Sequence, residues 1–273
     1  MSIRVPLVFT FSASDPTCGA GMQADALTLA AMGVHPLTVL TGLTAQNTVG
    51  VAWFEPVDER AINRQLDVLL DDGLAPSAIK VGVLGSTAAV DAVFRLKTEY
   101  PDAPLVVDPV RASGRGDALG AAAVWSAMQA RLFPLIDLIT PNWPEAQALT
   151  GQSTPADAAA SLLNQGVRAV LIKGEHLDEV DVVNRLYWDQ EGEVAEQAFP
   201  CARLPHQYHG SGCTLASACA GAWAQGLSLN DAVGLALEFT WQALSHGFAI
   251  GQGQRIPDRL HLMQQLAQGR GES

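Results

Sequence analysis

Apolar stretches and amphipathic stretches alternate along this chain of 273 residues. Short apolar runs such as VPLVFTF (5–11) predict buried strands, because both faces of a buried strand are apolar. Between these runs, apolar residues recur with helical spacing, as at Ile62, Leu66 and Leu69 in the segment 58–73. The predicted strands are 5–11, 35–45, 78–84, 104–110, 135–142 and 168–174, followed by a hairpin over 181–199 that turns near Glu191–Gly192. The predicted helices are 20–33, 58–73, 87–99, 118–132, 154–166, 213–225 and 229–247.

Cap residues support several of these boundaries. Thr154 is a suitable N-cap, Pro155 occupies the first helical position, and Gly166 follows the last turn. The alternation of strands and helices predicts an α/β fold with three layers, in which helices cover both faces of a mostly parallel central sheet. Since no linker or internal repeat interrupts the pattern, we expect a single domain over residues 1–273.

Charge and cysteine content restrict the classes of function. The chain has 16 Lys and Arg against 28 Asp and Glu, a net charge of −12, which argues against binding to nucleic acid or anionic membranes. The four cysteines match no zinc-binding spacing, and no run is apolar enough to span a membrane. The N-terminal residues do not resemble a secretory leader, so we expect a cytoplasmic protein with reduced thiols.

Several polar residues follow directly after predicted strands. In a parallel sheet these positions meet at the carboxyl ends of the strands, where ligands bind. Gln46 offers an amide that suits the edge of a heterocycle, whereas Asp108 and Glu145 suit Mg²⁺. Asn142 lies near Glu145, and Lys173 provides a point charge for phosphate. Each residue alone could serve only a turn or a cap, but the set favours phosphoryl transfer.

The segment YHGSGCTLASACAG (208–221) places two glycines and Cys213 at the start of a predicted helix. The first N–H groups of a helix have no partner within the helix, and its dipole favours negative charge there. The segment therefore predicts an anion-binding turn that contains a thiol. A glycine-rich turn with a buried cysteine is the alternative. The loop after the first strand (12–26) likewise has two interpretations, as a loop that contacts the substrate or as a simple turn.

Taken in order, these segments resemble hydroxymethylpyrimidine/phosphomethylpyrimidine kinases of thiamine biosynthesis, within the ribokinase-like superfamily. The resemblance extends from about residue 7 to residue 247. It is carried by SDPTCGAGMQADALTLAAMGVHPLTVLTGLTAQNTVGV, IKVGVLGS, VVDPV, GDAL, LITPNWPEAQALTG, IKGEHL and HGSGCTLASA. It implies an α/β sandwich without a Walker A loop, the use of ATP and Mg²⁺, a small pyrimidine substrate and a homodimer. These kinases phosphorylate a hydroxymethyl group and then the resulting monophosphate.

The resemblance also assigns roles to individual residues. The turn that binds the transferred phosphoryl group is formed by Gly210, Ser211, Gly212 and Cys213. Cys213 takes the place of the aspartate base of most ribokinase-like enzymes. The residues implied for the pyrimidine pocket are Gln46, Asp25, Ala13, Asp15, Val83 and Val110. The residues implied for the nucleotide are Lys173, Asn142, Thr214 and Arg115. The residues implied for Mg²⁺ are Asp108 and Glu145.

The sequence departs from the family pattern at several positions. Val83 replaces a methionine, which reshapes the predicted pyrimidine pocket. Arg111 and Arg115 lie in a loop where a lysine is usual, so Arg115 either contacts phosphate or is a solvated charge. Glu175 and Cys18 each replace a glycine.

Cys213 is the expected proton acceptor for the substrate hydroxyl. A helix N-terminus lowers the pKa of a thiol, so we expect a lowered pKa for Cys213. Because the transition state of phosphoryl transfer is loose, we expect the N–H groups of 210–213, Mg²⁺ and Lys173 to contribute more than this base.

Three other functions fit part of the sequence. A pyridoxal kinase shares the superfamily and also acts on a planar ring with a hydroxymethyl group. A cysteine-dependent hydrolase or transferase would use Cys213 with His209. A non-catalytic pyrimidine-binding protein would keep the fold without the reaction, although the presence of Asp108, Glu145, Lys173 and Cys213 argues against it.

Overall fold

A nine-stranded sheet runs through the part of the chain that the structure, a computed structural model, describes: residues 5–110, 122–177 and 180–261. The strands are β1 (Leu7–Ala13), β2 (His35–Gln46), β3 (Val51–Pro56), β4 (Ala78–Val81), β5 (Leu105–Val107), β6 (Leu138–Ile139), β7 (Ala169–Ile172), β8 (Val182–Gln190) and β9 (Glu193–Cys201). The helices are α1 (Gly21–Ala31), α2 (Glu59–Asp71), α3 (Thr87–Glu99), α4 (Ala122–Arg131), α5 (Trp143–Thr150), α6 (Pro155–Asn164), α7 (Ser211–Ala224) and α8 (Leu229–Ser245).

The strands lie in the order β3-β2-β1-β4-β5-β6-β7-β8-β9. From β2 to β7 all neighbours are parallel, whereas β3 at one edge and the β8–β9 hairpin at the other pair antiparallel. The hairpin turns at Glu191 and Gly192, both with positive φ, as predicted. The expectation of an α/β fold with a mostly parallel sheet is therefore confirmed.

Helices cover both faces of this sheet and bury two apolar cores. Along β1, Phe9 and Phe11 point to one face and Val8 to the other, because successive side chains alternate across a strand. The first core is completed mainly by α2, α3, α4 and α6, and the second by α1, α7 and α8. The parallel strands are apolar on both faces for this reason.

Strand β3 was not predicted from the sequence. Four of its six residues are exposed and it forms one edge of the sheet, so its apolar pattern is weak. Its pairing with β2 brings Phe54 against Gly42, where a Cβ would lie 2.5 Å from the phenyl ring. The strand therefore depends on a tertiary contact that the local sequence does not encode.

The expected strand over 135–142 is wrong in both of its boundaries. Residues Phe133–Leu135 form a 3₁₀ turn, and the strand is limited to Leu138–Ile139. Helix α5, which was not predicted, follows at once. Its Pro144 indicates a turn in isolation, but proline is tolerated in the first turn of a helix, where its missing N–H is not needed.

The structure also shows the state of the cysteines and the apolar character of the helices. All four cysteines are free thiols. Within the described residues, no helix combines the length and the apolar character that crossing a membrane requires.

A fully buried ion pair connects the central strands to the helices on one face. Lys80 Nζ on β4 lies 2.7 Å from Asp25 Oδ1 on α1. Ser12 on β1 and Ser217 on α7 both donate hydrogen bonds to the Asp25 carboxylate, at 2.6 and 2.9 Å. Burial opposes the charge of Lys80, but Asp25, Cys213 and Asp108 together outweigh it and raise the pKa of this lysine. Four elements therefore meet at one satisfied charge pair.

Replacing Lys80 tests this ion pair. Lys80→Met leaves the Asp25 carboxylate buried without its cation, so we expect the free energy of unfolding to fall by about 3–5 kcal/mol. Urea denaturation measures this difference. The matched control is Arg95→Met, which breaks an exposed pair with Asp67 and should cost less than about 1 kcal/mol. An equal loss in the two variants would contradict the central role of Lys80.

Cys18 adopts a left-handed conformation, with φ 58, that favours glycine. A Cβ in this region costs about 1–2 kcal/mol, whereas glycine has an extra entropic cost of about 0.5–1 kcal/mol. We therefore expect Cys18→Gly to stabilise the protein by about 0.5–1 kcal/mol, as measured by thermal unfolding. Cys18→Ser keeps the Cβ and is the control for loss of the thiol. If Cys18→Ser stabilises the protein equally, the effect belongs to the thiol and not to the backbone.

Candidate active site

A cavity of about 1040 Å³ opens at the carboxyl ends of the parallel strands. Helix α7 begins at its wall, and α8 lines its far end. The predicted site residues that line it are Ala13, Gln46, Val83, Asp108, Val110, Asn142, Glu145, Lys173, Gly210, Ser211, Gly212 and Cys213. The sheet topology thus brings together residues that lie as far apart in sequence as Ala13 and Cys213.

A cluster of charges lies at the ends of β5, β6 and β7. Lys173 Nζ lies 3.1 Å from Asp108 Oδ1 and 3.9 Å from Glu145 Oε2. Lys173 and Asp108 are almost completely buried. An isolated bridge between Asn142 and Lys173 extends the parallel pairing of β6 and β7 beyond the strands, which sets the two residues side by side.

The pKa values of Lys173 and Glu145 are both shifted by burial and by neighbouring charges. Burial opposes the charge of Lys173, but Asp108, Glu145 and Glu175 outweigh it and raise the pKa of the ammonium. Burial raises the pKa of Glu145 to about 7, with Lys173 acting against this rise and Asp108 adding to it. The cluster therefore holds more negative charge than its single lysine compensates.

A reciprocal cap at the start of α5 orients Glu145. Asn142 Oδ1 accepts a hydrogen bond from the Glu145 N–H, and Glu145 Oε2 accepts one from the Asn142 N–H, both at 2.8 Å. The cap explains why these two residue types stand three apart. It also holds one Glu145 oxygen in place at the wall of the cavity.

The glycine turn faces this cluster directly. Gly210 is the N-cap of α7 with φ 77, and a Cβ there would lie 1.9 Å from the carbonyl oxygen of Gly19. A Cβ on Gly212 would lie 3.0 Å from Lys173 Nζ and 3.1 Å from Asp108 Oδ2. The start of α7 therefore lies next to the charged groups, and its first N–H groups, which have no partner within the helix, can bind an anion there.

Cys213 follows in the first turn of α7, with its thiol close to the start of α1 at Gly21. The expected lowering of its pKa is wrong. Burial raises the pKa of this thiol to about 11, and Asp25 and Asp108 add to the rise, although Lys80 opposes it. The position at a helix N-terminus does not compensate for loss of water and two nearby carboxylates, so the thiol is protonated at neutral pH.

Asp15 was expected in the pyrimidine pocket, and the structure places it behind the wall. Its carboxylate is fully buried and accepts hydrogen bonds from the N–H groups of Thr17 and Ala20, at 2.8 and 2.7 Å. His209 Nε2 lies 2.9 Å from Asp15 Oδ2. Burial raises the pKa of Asp15, but these hydrogen bonds outweigh it and lower the pKa. Asp15 thus shapes the loop after β1, and His209 is bonded to it.

Asp25 and Thr214 are also displaced from their expected positions. Asp25 lies in the buried ion pair with Lys80 and does not line the cavity. The hydroxyl of Thr214 donates to the carbonyl of Gly210 at 2.9 Å and accepts from Arg259 at 3.0 Å, below the cavity surface. Arg115 lies outside the described residues.

Gln46 lines the cavity at the end of β2 with its amide already oriented. Its Nε2 donates to Thr44 Oγ1 at 2.8 Å and to the carbonyl of Ser14 at 3.3 Å. Both N–H groups of the amide thus donate to protein acceptors, so the carbonyl oxygen is the atom that can accept a hydrogen bond from a ligand. Val83, beyond β4, lines the same end of the cavity.

The far end of the cavity was missed by the sequence analysis. It is lined by Leu237, Trp241 and Leu244 of α8 and by residues 201–204 after β9. The Trp241 indole donates to the carbonyl of Ala202 at 3.0 Å, which joins these two elements. The apolar residues of α8 recur with helical spacing, as for a helix packed on a core, so the sequence pattern alone does not identify them as cavity residues.

The sequence of this chain is similar to sequences of known pyrimidine kinases. The sequence model of the family described as phosphomethylpyrimidine kinase matches residues 15–258. The chain is 41% identical over 261 residues to hydroxymethylpyrimidine/phosphomethylpyrimidine kinase of Streptomyces coelicolor, covering 92% of this chain and 93% of that protein.

Solved structures agree with this match. The fold is similar to pyridoxal kinase of Bacillus subtilis in an ADP complex, with a TM-score of 0.83, 27% identity and coverage of 96% of this chain and 100% of that chain. It is also similar to phosphomethylpyrimidine kinase of Clostridium difficile, with a TM-score of 0.73, 31% identity and coverage of 88% and 99%. A family match over most of the chain, joined to this sheet and this glycine turn, means that the chain belongs to the phosphomethylpyrimidine kinase family of ribokinase-like phosphotransferases.

Proposed function

We propose that this enzyme uses ATP to phosphorylate 4-amino-5-hydroxymethyl-2-methylpyrimidine, and then phosphorylates the monophosphate to give the pyrophosphate for thiamine biosynthesis. The observation that carries the proposal is the position of Gly212, where a Cβ would lie 3.0 Å from Lys173 Nζ and 3.1 Å from Asp108 Oδ2. Helix N–H groups and a buried ammonium there stabilise the charge of a transferring phosphoryl group. The names of the relatives support the choice of substrate.

The nucleotide phosphates are placed between Lys173 and the start of α7 in this proposal. Lys173 carries its charge because the surrounding carboxylates raise its pKa. Asn142 lies beside it and marks the edge of the phosphate site. The apolar far end of the cavity, with Trp241, then receives the rest of the nucleotide.

The Asp108–Glu145 cluster fits Mg²⁺. Within the described ranges there is no cluster of three or more metal-ligating side chains. Mg²⁺ in kinases is typically held by one or two carboxylates, with waters and substrate phosphates as its other ligands. The two carboxylates, Asp108 and Glu145, stand against the single ammonium of Lys173, so a cation can bind between them. When bound, Mg²⁺ neutralises charge that develops on the transferred group.

The pyrimidine is placed at the Gln46 end of the cavity. There the free carbonyl oxygen of Gln46 accepts a hydrogen bond from the exocyclic amine, while Ala13, Val83 and Val110 contact the ring. Pyridoxal is the alternative substrate, because Val83 leaves more room than methionine and a pyridoxal kinase is among the similar structures. The amine of the pyrimidine, which pyridoxal lacks, favours the pyrimidine.

The remaining alternatives are less well supported. A cysteine-dependent hydrolase needs an activated thiol, but the raised pKa keeps Cys213 protonated, and His209 is bonded to Asp15. A binding protein without activity has no need for the charged cluster opposite the glycine turn. We further propose that the enzyme works in the cytoplasm as a homodimer, with reduced thiols.

An assay of ADP release tests the proposed substrate. We expect release that requires both Mg²⁺ and the hydroxymethylpyrimidine, and a second release with the monophosphate. The value of kcat/KM for the pyrimidine should exceed that for pyridoxal by about fivefold or more, since an unpaired Gln46 oxygen costs at least about 1 kcal/mol. A preference for pyridoxal would instead identify the protein as a pyridoxal kinase.

Substitution of Cys213 tests its role as the acceptor of the hydroxyl proton. Only the thiolate form of Cys213 can accept this proton, so with a pKa of about 11 the rate that it supports should rise with pH up to that value. Loss of a positioned base lowers a rate by about 10²–10⁴-fold. We expect Cys213→Ala to lower kcat by about 10²-fold and to leave the KM for the pyrimidine within threefold. Cys219→Ala, which removes a buried thiol from the same helix, is the matched control and should keep full turnover. Normal turnover of Cys213→Ala would mean that the thiol only shapes the turn.

A further inference from the structure

Arg259 is a buried arginine outside the site described so far. It is 3% exposed and lies one residue beyond the range, 15–258, over which the family matches. Each of the three nitrogen atoms of its guanidinium group donates a hydrogen bond. Nε donates to Thr214 Oγ1 at 3.0 Å, Nη2 to the carbonyl of Gly19 at 2.6 Å, and Nη1 to the carbonyl of Cys18 at 3.3 Å. The side chain therefore joins the first turn of α7 to the loop after β1.

The contacts of Arg259 converge on the glycine turn from two sides. The Gly19 carbonyl that it binds is the atom that approaches Gly210 so closely that no Cβ fits. Thr214, its other partner, donates to the carbonyl of Gly210. Gly210 is thus held between two groups that are both hydrogen-bonded to the same guanidinium.

Arg259 also places a positive charge beside the first turn of α7. No carboxylate of the described residues lies within ion-pair distance of it, and its acceptors are a hydroxyl and two carbonyls. Burial lowers the pKa of Arg259 to about 10, so it remains charged at neutral pH. A cation held against the first turn of α7 adds to the positive potential that the helix dipole creates for an anion.

We propose that Arg259 is a positioning residue for phosphoryl transfer, which holds the Gly210–Cys213 turn in its anion-binding geometry against the loop of residues 15–20. This inference rests on the proposed function of that turn. It assigns to the end of the chain a part in the reaction, although Arg259 does not line the cavity.

The test compares Arg259→Met with Arg255→Met. Arg255 lies in the same segment, and its guanidinium donates to the carbonyl of Gly247, so the control removes a guanidinium without touching the turn. We expect Arg259→Met to lower kcat by about 10²-fold, comparable to the loss of one oxyanion-hole donor, and to leave the KM for the pyrimidine within threefold. Arg255→Met should keep kcat within threefold of the unmodified enzyme.

A second readout does not depend on activity. Hydrogen exchange followed by mass spectrometry on the whole chain reports the amides of residues 209–215. We expect exchange there to be at least tenfold faster in Arg259→Met and unchanged in Arg255→Met. If the unmodified enzyme does not phosphorylate the pyrimidine but exchange still accelerates, the proposed substrate is wrong and the positioning role stands.

A conservative replacement of Arg259 and chemical rescue of its loss distinguish a positioning role from a general effect on stability. Arg259→Lys keeps the charge but lacks the planar fork that reaches three acceptors, so its kcat should lie between those of the unmodified enzyme and Arg259→Met. Guanidinium added to Arg259→Ala should restore part of kcat, whereas ammonium should not. If Arg259→Met does not fold, Thr214→Val takes its place in the test. This variant removes the hydroxyl that accepts the hydrogen bond from Arg259 Nε, so it should also lower kcat.

The proposal is overturned by any of three results. The first is a kcat of Arg259→Met, or of Thr214→Val in its place, within threefold of the unmodified enzyme. The second is an equal loss of kcat in Arg255→Met. The third is unchanged exchange at residues 209–215 in Arg259→Met.

Discussion

The close backbone contact between Gly210 and the carbonyl of Gly19 is the constraint on which the site depends. No side chain fits at Gly210, and its left-handed φ of 77 is the conformation that glycine adopts most easily. The contact brings the first turns of α1 and α7 to the same point, with Cys213 between them. As a result, the first residues of both helices line one cavity, and buried polar groups hold the loop after β1 in place.

Those polar groups form two layers around the turn. Behind it, Asp15, Thr214 and Arg259 each form at least one hydrogen bond to a backbone atom of the turn or of the loop after β1. They therefore stabilise the geometry of these segments, and they do not line the cavity. In front of it, Asp108 and Lys173 are buried but line the cavity, where a phosphate can replace part of their interaction. A residue's access to the cavity, and not its chemical type, separates the two layers.

Much of the fold followed from local patterns. The apolar runs of β1 and β7 and the caps of α6 and α8 are signals within a few residues, and the structure has these elements close to their predicted limits. Strand β3 and helix α5 were not predicted, because β3 depends on pairing at an edge and α5 begins with a proline that usually indicates a turn. Asp108, Glu145 and Lys173 lie together in the structure because parallel topology brings the ends of neighbouring strands to one edge of the sheet.

The sequence by itself determined the α/β class, the strand-end positions of the polar residues and the helix start at the glycine turn, since each is encoded by neighbouring residues. Only the tertiary structure decided which polar residues line the cavity. Asp25 and Asp15 are chemically equal to Asp108, yet packing directs the first two to buried partners. It also decided the protonation of Cys213, because burial and nearby carboxylates raise its pKa against the effect of the helix, and both are set by residues distant in sequence.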